Sequence, residues 1–151
     1  EAIRGKRWPC RVAAQRSEDL KILVTGGRGT VGRPLITELE RRGHEVWSCD
    51  LYQYHHPRYI RCDVRHQRQL RALWAGRGFD CVYHLAAEFG RHNGEDYYEN
   101  LWTTNIVGTK NLLELQLELG FRMVFFSSSE VYGTTTGSCP RRSWSSTRSA
   151  R

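Results

Sequence analysis

The sequence predicts an α/β domain built on a doubly wound parallel sheet. Three observations carry this expectation. Short apolar runs alternate with stretches of helical period between residues 20 and 133, the first run breaks into closely spaced glycines that open a helix, and Phe121 to Phe126 is almost wholly apolar, as in a strand buried on both faces. In order, Leu20 to Thr25 is the first strand, and Val31 to Arg42 follows as a helix with Val31, Leu35, Ile36 and Leu39 on one side, ended by Gly43. Glu45 to Cys49 is the second strand, and Arg58 to Cys62 is the third, after a polar, aromatic loop. Gln67 to Trp74 is a short helix with Leu70, Leu73 and Trp74 on one face, and Phe79 to Leu85 is the fourth strand. A long helix runs through Asn105, Leu112, Leu113, Leu115 and Leu119 to Gly120, and the fifth strand follows it. Right-handed crossovers through such helices give the strand order 3-2-1-4-5 with helices on both faces.

The chain has 151 residues and a net charge of +7, but the excess lies at its ends. Residues 1–19 hold five basic and three acidic groups, residues 134–151 four basic and none acidic, and the patterned middle 14 against 13. A nucleic-acid partner would need a basic stripe on the folded part, so none is expected. No apolar run approaches the roughly 18 residues of a membrane helix, and a secretory h-region is missing, so a cytoplasmic protein with no membrane partner is expected. The five cysteines show no C-x-x-C spacing and read as reduced thiols, three of them inside apolar runs. Residues 1–19 form an unpatterned flank. The Arg/Ser/Thr-rich stretch 134–151 reads as a frame-shifted tail, because a slip of one nucleotide restores an acidic continuation; a genuine disordered tail is the alternative.

The chemistry is concentrated in Thr25-Gly26-Gly27-Arg28-Gly29-Thr30-Val31-Gly32, a G-x-x-G-x-x-G spacing between the first strand and its helix. Backbone passes close to a pyrophosphate in such a turn. Gly26 permits the tight turn, Gly29 removes a Cβ from the phosphate path, Gly32 lets the helix pack on the strand, and the helix N-terminus supplies N–H donors. Asp50, 18 residues beyond Gly32 at the end of the second strand, stands where a carboxylate accepts from a ribose 2′-OH and repels a 2′-phosphate. The expected cofactor is NAD, with NADP less favoured. No Cys or carboxylate cluster accompanies His55-His56, so no metal site is expected there. His84 reads as a hydrogen-bonded core histidine, and Trp47, Trp74 and Trp102 as core or rim packing.

This glycine spacing resembles the extended short-chain dehydrogenase/reductase superfamily, the nucleotide-sugar epimerases and dehydratases, whose Rossmann-like fold binds NAD(P). Asp63-Val64 resembles the adenine-contacting pair of that family. His84-Leu85-Ala86-Ala87 resembles its H-x-A-A strand end beside the cofactor, Asn105 to Thr109 its N-x-x-G-T helix motif, and Ser127 to Gly133 its S-[ST]-x-E-V-Y-G segment. The resemblance covers residues 20–133. It implies that Gly26, Arg28, Gly29, Thr30, Val31, Gly32, Asp50, Asp63, Val64, Leu85, Ala86, Ala87 and Asn105 hold the cofactor. It also implies a nucleotide-sugar substrate and a homodimer through the helix after the fourth strand, which would leave Tyr97, Leu101 and Leu112 partly exposed.

By position, Ser128 matches the catalytic Ser/Thr of the family and Glu130 an acidic position of its decarboxylase and dehydratase members. A hydroxyl suits the end of the fifth strand, because hydride removal from a sugar carbinol requires the hydroxyl proton to leave as a carbonyl develops. The family base, a Tyr followed four residues later by Lys, has no match here: Tyr132 has Thr136 at that offset, Tyr97 has Leu101 and Tyr98 has Trp102. An intact protein of this pattern is expected to be an enzyme, and this stretch the inactive cofactor-binding part of it. The alternative is a dinucleotide-binding or sensing module without catalysis.

Overall fold

The computed structural model describes residues 19–89 and 97–128. Expectations about the N-terminal flank before Asp19, the tail 134–151, Glu130 and Tyr132 lie outside the described residues. Five strands form one sheet: β1 (Lys21–Thr25), β2 (Glu45–Asp50), β3 (Tyr59–Arg61), β4 (Cys81–His84) and β5 (Arg122–Phe125). Their order is β3-β2-β1-β4-β5, all parallel, as expected. The helices are α1 (Gly32–Arg41), α2 (Gln67–Leu73), α3 (Tyr98–Trp102) and α4 (Thr109–Leu119), with a π-helical turn (Thr103–Gly108) joining the last two.

Alternation along β1 divides the core between the two faces of the sheet. Ile22 and Val24 point to one face, where Val46, Cys81 and Leu39 of α1 pack with them. Leu23 points to the other, where Val82, Leu70 and Leu73 of α2 and Leu112 and Leu115 of α4 close a larger cluster, with Phe79 and Phe121 at its margin. Trp74 stacks on Phe121 and meets Phe79 edge-on, with ring centroids 5.1 and 5.3 Å apart, so it is part of this core.

Three expectations require correction and one is narrowed. The fifth strand is not buried on both faces: Val124, Phe125 and Phe126 are 39, 52 and 46% exposed, because β5 is the edge strand, paired only with β4, and the exposure falls on both faces, Val124 being in register with Tyr83 and Phe125 with His84. Val31 is not on the helix face but precedes α1 and is half exposed. Leu112 is fully buried, because the 3.6-residue period places it with Leu115 against the sheet while Leu113 and Leu117 face outward. Trp102 is half exposed, which excludes the core and leaves only the rim placement.

Candidate cofactor site

Every strand of a parallel sheet delivers its C-terminal end to the same edge, and the residues that follow β1, β2, β3 and β4 build a cavity there of about 280 Å3. Its wall begins with the turn after β1. Gly26 has φ +69°, and a Cβ there would lie 2.8 Å from the amide nitrogen of Ala86, so the turn and the segment after β4 touch backbone to backbone. Gly32 is equally constrained, since its Cβ would sit 2.4 Å from the Gly26 carbonyl oxygen. The turn is tied down by Gly27 N–H to the Cys49 carbonyl and Gly29 N–H to the Gly26 carbonyl, both 3.1 Å.

Asp50 closes the second side. Its carboxylate accepts from the Arg28 amide at 2.9 Å and the Leu51 amide at 2.7 Å, which fixes it at the cavity wall. The loop beyond is shaped by Tyr59, whose hydroxyl donates to the carbonyls of Asp50 and Tyr52. Burial, reinforced by the Asp50 charge, pushes that phenol up to about 12, so it remains a donor.

Asp63 and Val64 form the third side, with Cys62. Burial opposes ionisation of Asp63, but the Arg65 guanidinium and amide outweigh it and hold the carboxyl below the usual range. Asn111, from α4, donates to the carbonyls of Val64 and Arg65 at 3.0 Å and anchors this segment from beneath. Gly108 lets the π turn approach: a Cβ there would be 2.7 Å from Val64 Cγ2.

Leu85, Ala86, Ala87 and Glu88 complete the wall, together with Thr104. They are set by His84, which is 2% exposed and touches Thr25 Oγ1 at 2.8 Å through Nδ1 and Thr109 Oγ1 at 3.1 Å through Nε2. Thr109 donates its own hydroxyl to the Asn105 carbonyl, so it must accept from His84, which assigns the proton to Nε2 and leaves Nδ1 to accept from Thr25. Thr25 Oγ1 in turn accepts from the Ala86 amide at 3.3 Å. Burial drives His84 down to about 4, consistent with this neutral tautomer. Asn105 grips the end of the segment, its Oδ1 accepting from the Glu88 amide at 2.7 Å and its Nδ2 donating to the Glu88 carbonyl at 3.0 Å.

Nine of the expected residues therefore line one cavity: Gly26, Arg28, Gly29, Asp50, Asp63, Val64, Leu85, Ala86 and Ala87. Thr30, Val31 and Gly32 do not line it, and Asn105 acts on its wall through Glu88. Ser128 lies beyond the C-terminal end of β5, on the same sheet edge, and is exposed. Leu51, Tyr52, Cys62, Glu88 and Thr104 were not expected in the lining. Leu51 and Tyr52 were signalled by following Asp50, and Cys62 by preceding Asp63, whereas Thr104 depends on the π turn. Among the described residues, no group of three or more His, Cys, Asp or Glu is placed to hold a metal ion, and no helix is long and apolar enough to cross a membrane.

The sequence profile of the NAD dependent epimerase/dehydratase family matches residues 22–150. The chain belongs to this family. It is 32% identical over 126 residues to the UDP-N-acetyl-alpha-D-glucosaminuronate decarboxylase of Bacillus cytotoxicus, covering 77% of this chain and 39% of that protein. It is 33% identical over 121 residues to the 3-beta-hydroxysteroid dehydrogenase of Mycolicibacterium neoaurum, covering 74% of this chain and 32% of that one. Among solved structures, UDP-glucose-4-epimerase from Stenotrophomonas maltophila with bound NAD and formylated UDP-arabinopyranose superposes with a TM-score of 0.70 at 28% identity, covering 80% of this chain and 40% of that one. The chain thus spans about two fifths or less of the length of these family relatives. The cavity suits the family's cofactor on its own geometry: Gly26 and Gly32 leave no room for side chains at the turn, and a fixed carboxylate stands across from it.

Proposed function

We propose that this chain is the NAD-binding part of an enzyme that acts on a nucleotide sugar, as an epimerase, dehydratase or decarboxylase. The observation that carries the reading is the Asp50 carboxylate, fixed by two backbone amides at the wall of the cavity that also contains Gly26 and Gly29. There it would accept from a ribose 2′-OH and oppose a 2′-phosphate, favouring NAD over NADP. Bound in this cavity, NAD would accept hydride from a sugar carbinol carbon. Asp63 and Val64 would border the adenine, while Leu85, Ala86 and Ala87 would support the opposite half of the dinucleotide. Ser128 would hydrogen-bond the carbinol oxygen as its proton leaves, with Glu130 as its acidic neighbour. Isothermal titration of NAD and NADP into the chain tests the cofactor assignment; equal affinities in the unaltered protein would defeat the preference.

A homodimer through α3 and α4 belongs to the same reading, supported by the exposure of Tyr98, Trp102, Ile106, Leu113 and Leu117 along these helices. The reading also places the protein in the cytoplasm, with the buried, unpaired thiols of Cys49, Cys62 and Cys81 in its support.

A further inference from the structure

The chain that leaves β2 is held from β3. Side chains alternate along a strand, so Tyr59 and Arg61 share one face of β3, while Ile60 packs on the other against the larger core cluster. The register places Arg61 beside Asp50, the last residue of β2. From there residues 51–58 run exposed to the start of β3, outside any helix or strand, and Leu51 and Tyr52 border the cofactor cavity.

Backbone that has left a sheet ladder needs other partners for its carbonyls. The Asp50 carbonyl accepts from the Cys62 amide at 2.9 Å and from the Tyr59 hydroxyl at 3.2 Å. The Leu51 carbonyl accepts from Arg61 Nε at 2.9 Å, and the Tyr52 carbonyl from the same Tyr59 hydroxyl. The ring that carries this hydroxyl is 8% exposed and meets the Tyr54 ring edge-on, with centroids 5.5 Å apart, so packing fixes its position.

These contacts reach the Asp50 side chain through one planar peptide group. Its oxygen, the Asp50 carbonyl, is pinned by Tyr59 and Cys62; its N–H, that of Leu51, points the opposite way and donates to the Asp50 carboxylate at 2.7 Å. A plane held at its oxygen cannot turn, so the amide keeps the carboxylate in one orientation. Were the plane free to turn, only the Arg28 amide would hold that carboxylate. Neither Tyr59 nor Arg61 lines the cavity, and both act on it through the backbone.

We propose that Tyr59 and Arg61 are positioning residues: by clamping the carbonyls of residues 50–52 they hold the Asp50 carboxylate as it meets a ribose 2′-OH, and so set the preference for NAD over NADP. The proposal rests on the reading of Asp50 as the group that meets the ribose. Order present before binding is not charged to the ligand, so the clamp sharpens selectivity without a ligand contact of its own.

The experiment uses Tyr59→Phe, which keeps the buried ring and removes only the hydroxyl, and Arg61→Gln at an exposed position, with circular dichroism to check that both fold. Without dinucleotide, hydrogen exchange at the Leu51 amide, followed by NMR, is expected to quicken about 3- to 10-fold in each variant, the worth of one hydrogen bond, while the Val24 amide in β1 keeps its rate. Calorimetric titrations of NAD and NADP are expected to show the preference narrowed by a similar factor in each variant. Adding Tyr59→Phe to Asp50→Asn should narrow it no further, because the hydroxyl acts through that carboxylate. Unchanged Leu51 exchange in either variant overturns that residue's place in the clamp. Faster exchange with an unchanged preference overturns the proposal, as does narrowing by Tyr59→Phe that persists in the Asp50→Asn background. An unaltered chain that binds both dinucleotides equally, or neither, counts against the cofactor reading, and Leu51 exchange then decides the clamp by itself.

Discussion

Arg28 and Asp50 meet through backbone rather than through opposite charges. The Arg28 amide donates to the Asp50 carboxylate at 2.9 Å, while the Arg28 guanidinium turns over the Tyr54 ring. The carboxylate therefore lines its cavity without pairing to this guanidinium, and the guanidinium borders a neighbouring cavity as well. On the proposed reading, selectivity between cofactors differing by one phosphate would be set where these two groups part.

Replacing Asp50 by Asn should remove the charge and keep one of the two backbone contacts, because Nδ2 cannot accept from an amide. The NAD-over-NADP preference is expected to narrow by about 10- to 100-fold, the worth of one hydrogen bond to a charged group. Calorimetric titration of both dinucleotides measures it, and an unchanged ratio would show that the carboxylate does not read the ribose.

Gly32→Ala places a methyl 2.4 Å from the Gly26 carbonyl oxygen and 2.8 Å from Gly27 Cα, both of them backbone atoms that cannot swing aside. Overpacking of this kind costs about 1–3 kcal/mol. Gly78→Ala, with nothing within 4 Å of the added Cβ, should stay within about 0.5 kcal/mol of the parent. Urea denaturation of the two variants distinguishes a steric constraint from a general intolerance of alanine.

The buried His84 makes stability depend on pH. Its folded value of about 4 lies below the ordinary 6.5, so the unfolded chain binds the extra proton first. This contribution is complete above pH ~6.5 and disappears as pH falls toward ~4, amounting to about 2 kcal/mol between pH 7 and pH 5. His84→Asn should flatten that part of the profile; an identical slope in parent and variant would mean that other groups carry it.

Leu112→Ala is expected to cost about 2–5 kcal/mol, since the side chain is fully buried beside Leu115 and Leu70. Leu119→Ala, at a position 47% exposed on the same helix, should fall within about 0.5 kcal/mol. Thermal unfolding of the pair would detect any error in the assignment of the helix face.

The order of the strands and the position of the cavity were legible because the glycine turn, Asp50 and the strand ends are local signals that a parallel sheet gathers at one edge. Phe121 to Phe126 misled for the opposite reason. An apolar run states what a strand could bury, but whether Phe125 is covered depends on elements elsewhere in the chain. Leu112 was misplaced because partial exposure was inferred from a resemblance, while the 3.6-residue period puts it with Leu115. Thr104 had no signal, because neither propensity nor spacing marks a π turn. The resemblance puts Asn105 against the cofactor, and the structure joins its amide to the Glu88 backbone at the cavity wall, a contact that spacing does not signal.

The π turn at Thr103–Gly108 amounts to one residue more than a regular helix would accommodate, and it separates two tasks along a single rod. Downstream, Leu112 and Leu115 are clamped to the sheet; upstream, Thr104 and Asn105 address the mouth of the cleft. Loss of a single codon within the turn, Ile106 for example, would let the helix close into uniform winding and swing everything upstream by roughly 100° about its axis. The anchored half would hardly register the change, while Thr104 would leave the cleft and Asn105 would release the Glu88 backbone. A fold of this kind can thus lose the shape of its cleft through the smallest in-frame deletion and still unfold at nearly the same temperature.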